Sequence, residues 1–382
     1  MTRRIAYVTG TRADYGLFSE PLRRVREQPA LELGLIVTGM HLEPGFGETV
    51  KEIEADGMPI VARVRNLLPG DSGADQARSI GNAVLGITDA LEDFGPEIVI
   101  VLGDRGEMLA GAIAAIHLNL AVAHVHGGEV SGTVDELVRH AITKLSHVHF
   151  AATKEAAKRI ERMGERPQNI HVVGASGLDY LNHFDPIPDA ELVAELGIDP
   201  SKPFVIFTQH PVTAQIDHAA QQMEASLTAL ESASIPVVAT YPNSDAGGRA
   251  MIEVLESWRD RPWLHVVPSL GHRRFASLLK KTASMVGNSS SGIIEAPFFG
   301  VPVVNIGTRQ SGRLRAENVI DTASDVAAIK TAMDCALHDE AFKARARGTQ
   351  NPYGDGRAGE RIVEVLAKME IGPELTMKQI AY

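Results

Sequence analysis

Short apolar runs bounded by glycine or aspartate alternate along this chain with stretches whose apolar residues recur at helical spacing. In the first half the runs are residues 5–10, 33–39, 98–104, 122–128, 147–152 and 170–174, and helical patterns occupy 107–118, 134–145 and 154–163. Near-continuous apolar runs of about six residues suit strands buried on both faces, and the helices between them predict right-handed βαβ units and a parallel sheet. Prolines and acids from Phe184 to Pro200 interrupt the rhythm. It restarts with strands predicted at 204–210, 237–241, 264–267, 284–287 and 301–306, and helices at 219–232, 247–258, 275–281, 293–299 and 326–337. The expected fold class is α/β, with two Rossmann-like doubly wound parallel-sheet domains side by side and a cleft between the carboxyl ends of their sheets. The expected boundaries are 1–183 for the first domain and 184–364 for the second, with 365–382 packing back on the first.

Composition narrows the functional classes. The 382 residues carry 37 Lys and Arg against 48 Asp and Glu, a formal net charge of −11. That balance argues against broad electrostatic binding to nucleic acid or to an anionic membrane, yet leaves room for an anionic small ligand held by local arginines and helix N-termini. A single cysteine, Cys335, excludes an internal disulfide framework and any cysteine-rich zinc module. No segment approaches the roughly 20 apolar residues of a membrane span, and the N-terminus reads as a first buried strand, so a cytoplasmic protein is expected.

The residues able to carry chemistry cluster just after predicted strands, where doubly wound folds place their ligands. Thr9-Gly-Thr-Arg-Ala-Asp-Tyr-Gly16 is a glycine-containing loop entering a helix; it suits phosphate through Arg12 and free backbone N–H groups, or is simply a tight turn. Asp104, at the end of an aliphatic strand and followed by Arg105, is either an acid/base group or a helix cap. His124-Val-His-Gly-Gly-Glu129 and the helix opened by Asp135 are the richest segment. His124 and His126 share one strand face, Asp135 and Arg139 share a helix face, and so do Glu136 and His140. Acid/base work is one reading of this set, and a His-x-His metal site is another.

The second half repeats the arrangement. His210 ends a strand before Pro211, and Asn243 and Asp245 follow another strand as hydrogen-bonding candidates. Gly287-Asn-Ser-Ser-Ser-Gly292 is the most phosphate-like stretch, offering hydroxyls and N–H groups at a helix start. Glu295 beyond it is suited to accept two ribose hydroxyl protons, and Arg309 ends the next strand. The glycine-rich dinucleotide fingerprint, the P-loop and the nucleophile elbow are all absent from the sequence.

Taken in order, Gly10-Thr-Arg-Ala-Asp-Tyr15, Leu102-Gly-Asp-Arg105, Gly127-Gly-Glu129, Asp135-Glu-x-x-Arg139-His-Ala-Ile-Thr-Lys-Leu-Ser146, Gln209-His-Pro-Val-Thr213, Pro242-Asn-x-Asp-Ala-Gly247 and Gly287-Asn-Ser-Ser290 resemble the UDP-N-acetylglucosamine 2-epimerase family, specifically its hydrolysing branch. The resemblance spans nearly the whole chain. It implies a GT-B-like pair of domains, a UDP-sugar substrate, chemistry in the interdomain cleft, no cofactor or metal, a homodimer or homotetramer, and a role in making sialic-acid-like nonulosonic acids. Position by position, Asp104, His126, Glu129, Asp135 and His210 become the catalytic candidates. Arg12, Ser289, Ser290, Glu295 and Arg309 look like nucleotide-binding residues, joined in the binding set by Asp14, His41, Arg105, Asn243, Asp245 and Gly292. Members that form sialic acid carry Glu where this chain has His126, which marks the related subgroup acting on a 2,4-diacetamido-2,4,6-trideoxyhexose nucleotide on the way to legionaminic acid. Two alternatives from other classes stay open, a GT-B glycosyltransferase and a non-catalytic nucleotide-sugar sensor. Neither needs Asp104 and Asp135 around the sugar.

Overall fold

The structure, a computed structural model, describes residues 2–70, 72–130, 134–243, 245 and 247–381. Strand β1 (Arg3–Thr9) pairs in parallel with β2 (Leu31–Thr38) on one side and β4 (Ile98–Leu102) on the other. With β3 (Ile60–Val64), β5 (Ala121–Val125), β6 (Val148–Ala151) and β7 (Ile170–Val172) they form a 7-stranded sheet of order β3-β2-β1-β4-β5-β6-β7. The second sheet holds β8 (Val205–Thr208), β9 (Val237–Thr240), β10 (Leu264–Val267), β11 (Ser284–Gly287), β12 (Val303–Ile306) and β13 (Val319–Thr322) in the order β10-β9-β8-β11-β12-β13. Every pairing among these strands is parallel. The two orders are the same doubly wound topology, as the sequence rhythm predicts.

The central strands are largely apolar because helices cover both faces; Ile98–Leu102 and Val205–Thr208 are buried at every position. The edge strands β3 and β13 were not foreseen. Their sequences, Ile-Val-Ala-Arg-Val and Val-Ile-Asp-Thr, mix polar with apolar positions and are only partly buried, because an edge strand has neighbours on one side only.

The chain divides into two compact units, Met1–Tyr180 with Tyr353–Tyr382, and Leu181–Pro352. The return to the first unit thus begins at Tyr353, earlier than the expected residue 365. The reason is the amphipathic helix Ala358–Lys368, which buries Ala358, Ile362 and Leu366 in the core that also holds Phe18 and Leu22. Its start is fixed by the buried Asp179 carboxylate, which accepts the Ala358 and Gly359 N–H groups at 2.8 and 2.6 Å. Such a cap is worth about 1 kcal/mol and places a negative charge at the positive end of the helix dipole. Among the described residues no helix is long and apolar enough to cross a membrane.

Candidate active site

Strand order decides where ligands can reach each sheet. Winding reverses between β1 and β4 and again between β8 and β11, so the loops leaving the carboxyl ends of these strands diverge to opposite faces and leave a crevice. The motifs singled out above lie on those loops or on the loops beside them.

In the first unit Asp104 follows β4 and forms an ion pair with Arg139, whose side chain is 8% exposed. The same guanidinium donates to the Glu129 carbonyl oxygen at 3.1 Å, so Arg139 ties the loop after β4 to the loop after β5. Burial pushes the Asp104 carboxyl above its ordinary value; Arg139 opposes the rise, and Asp135 and Glu129 add to it. Three carboxylates and two arginines, Arg139 and Arg105, therefore share a field, and a carboxyl raised toward neutrality is the type that exchanges protons. Asp135 is exposed near the start of the helix Val134–Leu145, and His140 and Glu136 approach to 3.7 Å on its side.

His124 and His126 do not share a strand face. β5 ends at Val125, and His126 sits in the left-handed region with φ 62°. His124 donates from Nε2 to the Gly103 carbonyl at 2.7 Å, and its Nδ1 lies 3.1 Å from the Thr143 hydroxyl, which also reaches the Arg139 carbonyl at 3.0 Å. Burial drives it down to about 3, keeping it neutral. His126 Nε2 accepts from the Ser176 N–H. Both rings are thus held by protein groups. Among the described residues no three His, Cys, Asp or Glu side chains gather as a metal site.

Asp14, in the helix after β1, and His41, in the 3-10 turn after β2, turn inward. The Asp14 carboxylate accepts from Thr9, from the Thr11 hydroxyl at 2.9 Å and from the Gly10 and Thr11 N–H groups at 3.2 and 2.8 Å, closing a capping box on the helix Arg12–Glu27. Because the Thr9 hydroxyl gives its proton to Asp14, it accepts from His41 Nε2 at 3.0 Å, and His41 Nδ1 accepts from Thr49 at 2.7 Å. Burial raises Asp14 to about 6 against these bonds and lowers His41 to about 4. Arg12 points outward and pairs with Glu52 at 3.1 Å, and Arg105 pairs with Glu107 at 3.3 Å.

In the second unit the organising residue is Asn288, which is 2% exposed. Its amide pairs with the His210 peptide in both directions, accepting from N–H at 2.6 Å and donating to the carbonyl at 2.8 Å. Its own carbonyl receives Arg309 at 3.2 Å and Gln310 at 2.8 Å. This closeness requires Gly287: a Cβ there would meet the Thr208 carbonyl oxygen at 2.0 Å. His210 Nδ1 accepts the Asn243 N–H at 2.9 Å, leaving Nε2 as the donor of a neutral ring, and burial followed by Arg309 lowers it to about 4. Asn243 in turn bonds Asp245 at 2.6 Å.

Ser289 caps the short helix Ser290–Ile294 through the Ser291 N–H, and Ser290 begins it. Burial raises the Glu295 carboxyl, opposed by a hydrogen bond with Ser291. Gly292 faces β12 instead, with the site of a Cβ 3.0 Å from Val303, so its smallness serves helix-to-sheet packing. The second unit thus collects a neutral imidazole donor, an arginine, hydroxyls and helix-start N–H groups, a set suited to a diphosphate. Asn288, Ser176 and Arg139 were not assigned roles from sequence. Asn288 and Arg139 stand inside the motifs already noticed, whereas Ser176 follows β7 and only the sheet order brings it to His126.

The chain matches the family described as UDP-N-acetylglucosamine 2-epimerase over residues 23–367. It is 42% identical over 382 residues to UDP-N,N'-diacetylbacillosamine 2-epimerase (hydrolyzing) of Legionella pneumophila, covering 100% of both chains. It is 36% identical over 370 residues to a UDP-N-acetylglucosamine 2-epimerase of Neisseria meningitidis, covering 96% of each. The fold is shared with the crystal structure of UDP-GlcNAc 2-epimerase from Neisseria meningitidis bound to UDP-GlcNAc, at a TM-score of 0.79 and 20% identity, over 96% of this chain and 100% of that one. With matching motifs along its length and a family match over nearly all of it, this chain belongs to the UDP-N-acetylglucosamine 2-epimerase family.

Proposed function

We propose that this protein is a hydrolysing nucleotide-sugar 2-epimerase that releases UDP and a free manno-configured 2-acetamido sugar, with a 2,4-diacetamido-2,4,6-trideoxy sugar preferred over GlcNAc. The observation that carries the reading is the Asp104 carboxyl, raised by burial and held by Arg139 in the field of Glu129 and Asp135. The Legionella relative's substrate supports the choice of sugar.

The chemistry asks for what this inventory holds. One carboxylate removes the C2 proton; the C2–H electron pair forms the C1=C2 bond as the C1–O bond breaks, and that oxygen leaves with UDP. Water then adds its hydroxyl at C1 while C2 receives a proton on the opposite face from a second acid, and the proton released by the water restores that acid. Proton exchange on two faces calls for groups on different loops, a demand Asp104 and Asp135 suit. The growing charge on the diphosphate calls for fixed donors, the role assigned to His210, Arg309, Ser289 and Ser290, with Glu295 on the ribose. The free sugar suits the synthesis of nonulosonic acids, and a homo-oligomer without nucleic-acid or membrane partners completes the reading.

Incubation with each UDP-sugar alone in D2O tests it. Free manno sugar carrying one deuterium at C2, together with UDP, is expected. A requirement for an acceptor would indicate a transferase, and product lacking C2 deuterium would exclude proton abstraction at that carbon.

A further inference from the structure

His126 occupies the first position beyond β5, and its backbone N–H still donates to Phe150 of the neighbouring β6 at 2.9 Å. Its φ of 62° turns the chain away from the strand, so the side chain leaves the alternation of β5. Nε2 then lies 3.2 Å from the Ser176 backbone nitrogen and 3.4 Å from the Ser176 hydroxyl. A peptide N–H can only donate, so Nε2 must hold a lone pair and the proton of the neutral ring must sit on Nδ1.

The donor that imposes this choice is itself fixed. Ser176 is 1% exposed and opens the 3-10 turn Ser176–Leu178, and the Ala175 N–H before it binds the Tyr353 carbonyl at 2.7 Å. The charged groups acting on the ring are Glu129 and Asp104, which favour its cation, and Arg139, which opposes it; burial outweighs them and lowers His126 below the usual imidazole range. Of the two carboxylates assigned to proton exchange, Asp104 is thus the one whose field reaches the ring.

We propose that Ser176 locks His126 as a neutral Nδ1–H donor, and that this donor makes the site select a sugar presenting an additional amide carbonyl oxygen, as a second acetamido group does. The specificity half rests on the function proposed above; the tautomer half does not. A carboxylate in this place accepts hydrogen bonds only. The locked imidazole donates only, and an amide oxygen is a stronger acceptor than a hydroxyl. A site that holds a fixed polar group discriminates against ligands that leave it unpaired, because the group has lost its water without gaining a partner. Ser176 is then a positioning residue, acting on substrate through His126.

The test has two readouts on the full-length protein. The first is long-range 1H–15N NMR of histidine-labelled protein without ligand, with the His126 signals assigned by their loss in His126→Gln. The Nδ1–H tautomer is expected at pH 7 in the wild type and in Ser176→Ala, which keeps the N–H. Ser176→Pro deletes that donor at the first position of a 3-10 turn after an extended residue, where proline is tolerated, and should release the tautomer. An Nε2–H tautomer or a cation in the wild type overturns the lock. The second readout is competition between the 2,4-diacetamido-2,4,6-trideoxy UDP-sugar and UDP-GlcNAc, scored as the ratio of kcat/KM. The wild type should favour the diacetamido sugar, and His126→Glu should lower the ratio by about tenfold or more. An unchanged ratio in His126→Glu overturns the specificity half even if the lock holds. Failure of the wild type to turn over either sugar removes the proposed function and the specificity half together, and leaves the tautomer result standing on its own.

Discussion

Arg139 grips the Asp104 carboxylate with one terminal nitrogen while the other donates to the Glu129 carbonyl oxygen at 3.1 Å. One guanidinium thereby sets the separation of two loops that the sequence spaces more than twenty residues apart. A lysine carries one point charge and cannot make that fork. Arg139→Lys should therefore keep the fold and lower kcat by about 10- to 100-fold with a smaller change in KM. Because Arg139 opposes the rise of the Asp104 carboxyl, weakening it should also move the acidic limb of the pH–rate profile to higher pH. An unmoved limb would separate Asp104 from the rate-determining ionisation.

Asp104→Asn and Asp135→Asn should each lower turnover by about 100-fold or more, the usual scale for a lost general acid or base. UDP affinity, measured by calorimetry, should change little in either variant. Two variants with full turnover would remove both residues from the proposed proton transfers.

In the second unit, Asn288→Ala deletes both hydrogen bonds to the His210 peptide, one at 2.6 Å and one at 2.8 Å. Leaving buried peptide groups unpaired costs about 1–3 kcal/mol each, and the loop that aims the imidazole should lose its definition. We expect a lower Tm and UDP binding weakened by about tenfold or more. Arg309→Ala should weaken UDP binding at least as much while leaving Tm near the wild-type value. Unchanged UDP affinity in Arg309→Ala would remove that arginine from the nucleotide set.

The acid side of the stability curve should be governed by Glu165, which accepts from Lys144 and Lys378 at 2.6 Å each and from His149 at 3.1 Å. Burial pushes its carboxyl up, but these bonds outweigh burial and hold it at about 2, against an ordinary 4.5. A depressed carboxyl contributes stability above the unfolded value and loses it as pH falls through the folded one, so the loss should run from about 4.5 down to about 2. Lys378 also donates to the Lys144 and Ser146 carbonyls at 2.7 and 2.6 Å, at the end of the helix that carries Asp135 and Arg139. Glu165→Gln should flatten the acid dependence of Tm and lower Tm at pH 7. A wild-type slope in that variant would assign acid unfolding to other carboxylates.

Asp14 should act with the opposite sign. Its folded value of about 6 lies above the ordinary 3.8, so its contribution is complete below about 3.8 and is lost as pH rises through about 6. Asp14→Asn should remove this slope between those limits. Scanning calorimetry across that window decides it, and an unaltered slope would show that Asp14 is ionised throughout.

The sequence alone determined the α/β class, the doubly wound rhythm and the strand ends that hold the candidate residues, because those features follow from local patterns. A strand buried on both faces is largely apolar, and glycine or aspartate commonly ends it where the chain turns into a helix. Motif order was likewise enough for the family. The tertiary structure decided the direction in which each side chain faces. Asp14 and His41 read as ligand contacts, and the structure shows both bonded through Thr9 in a buried cap; Gly292 reads as part of a phosphate loop, and the structure shows it packed on Val303. His126 reads as a strand residue and lies past the strand end in a left-handed turn, against a serine fifty positions later that no spacing predicts. Arg139 and Asp104, and Asn288 and His210, likewise meet only because parallel pairing sets their loops side by side. Periodicity records which face of an element is buried, a property of a few consecutive residues. Partner choice for a polar side chain depends on which distant loops the sheet order makes neighbours, and that information is spread over the whole chain.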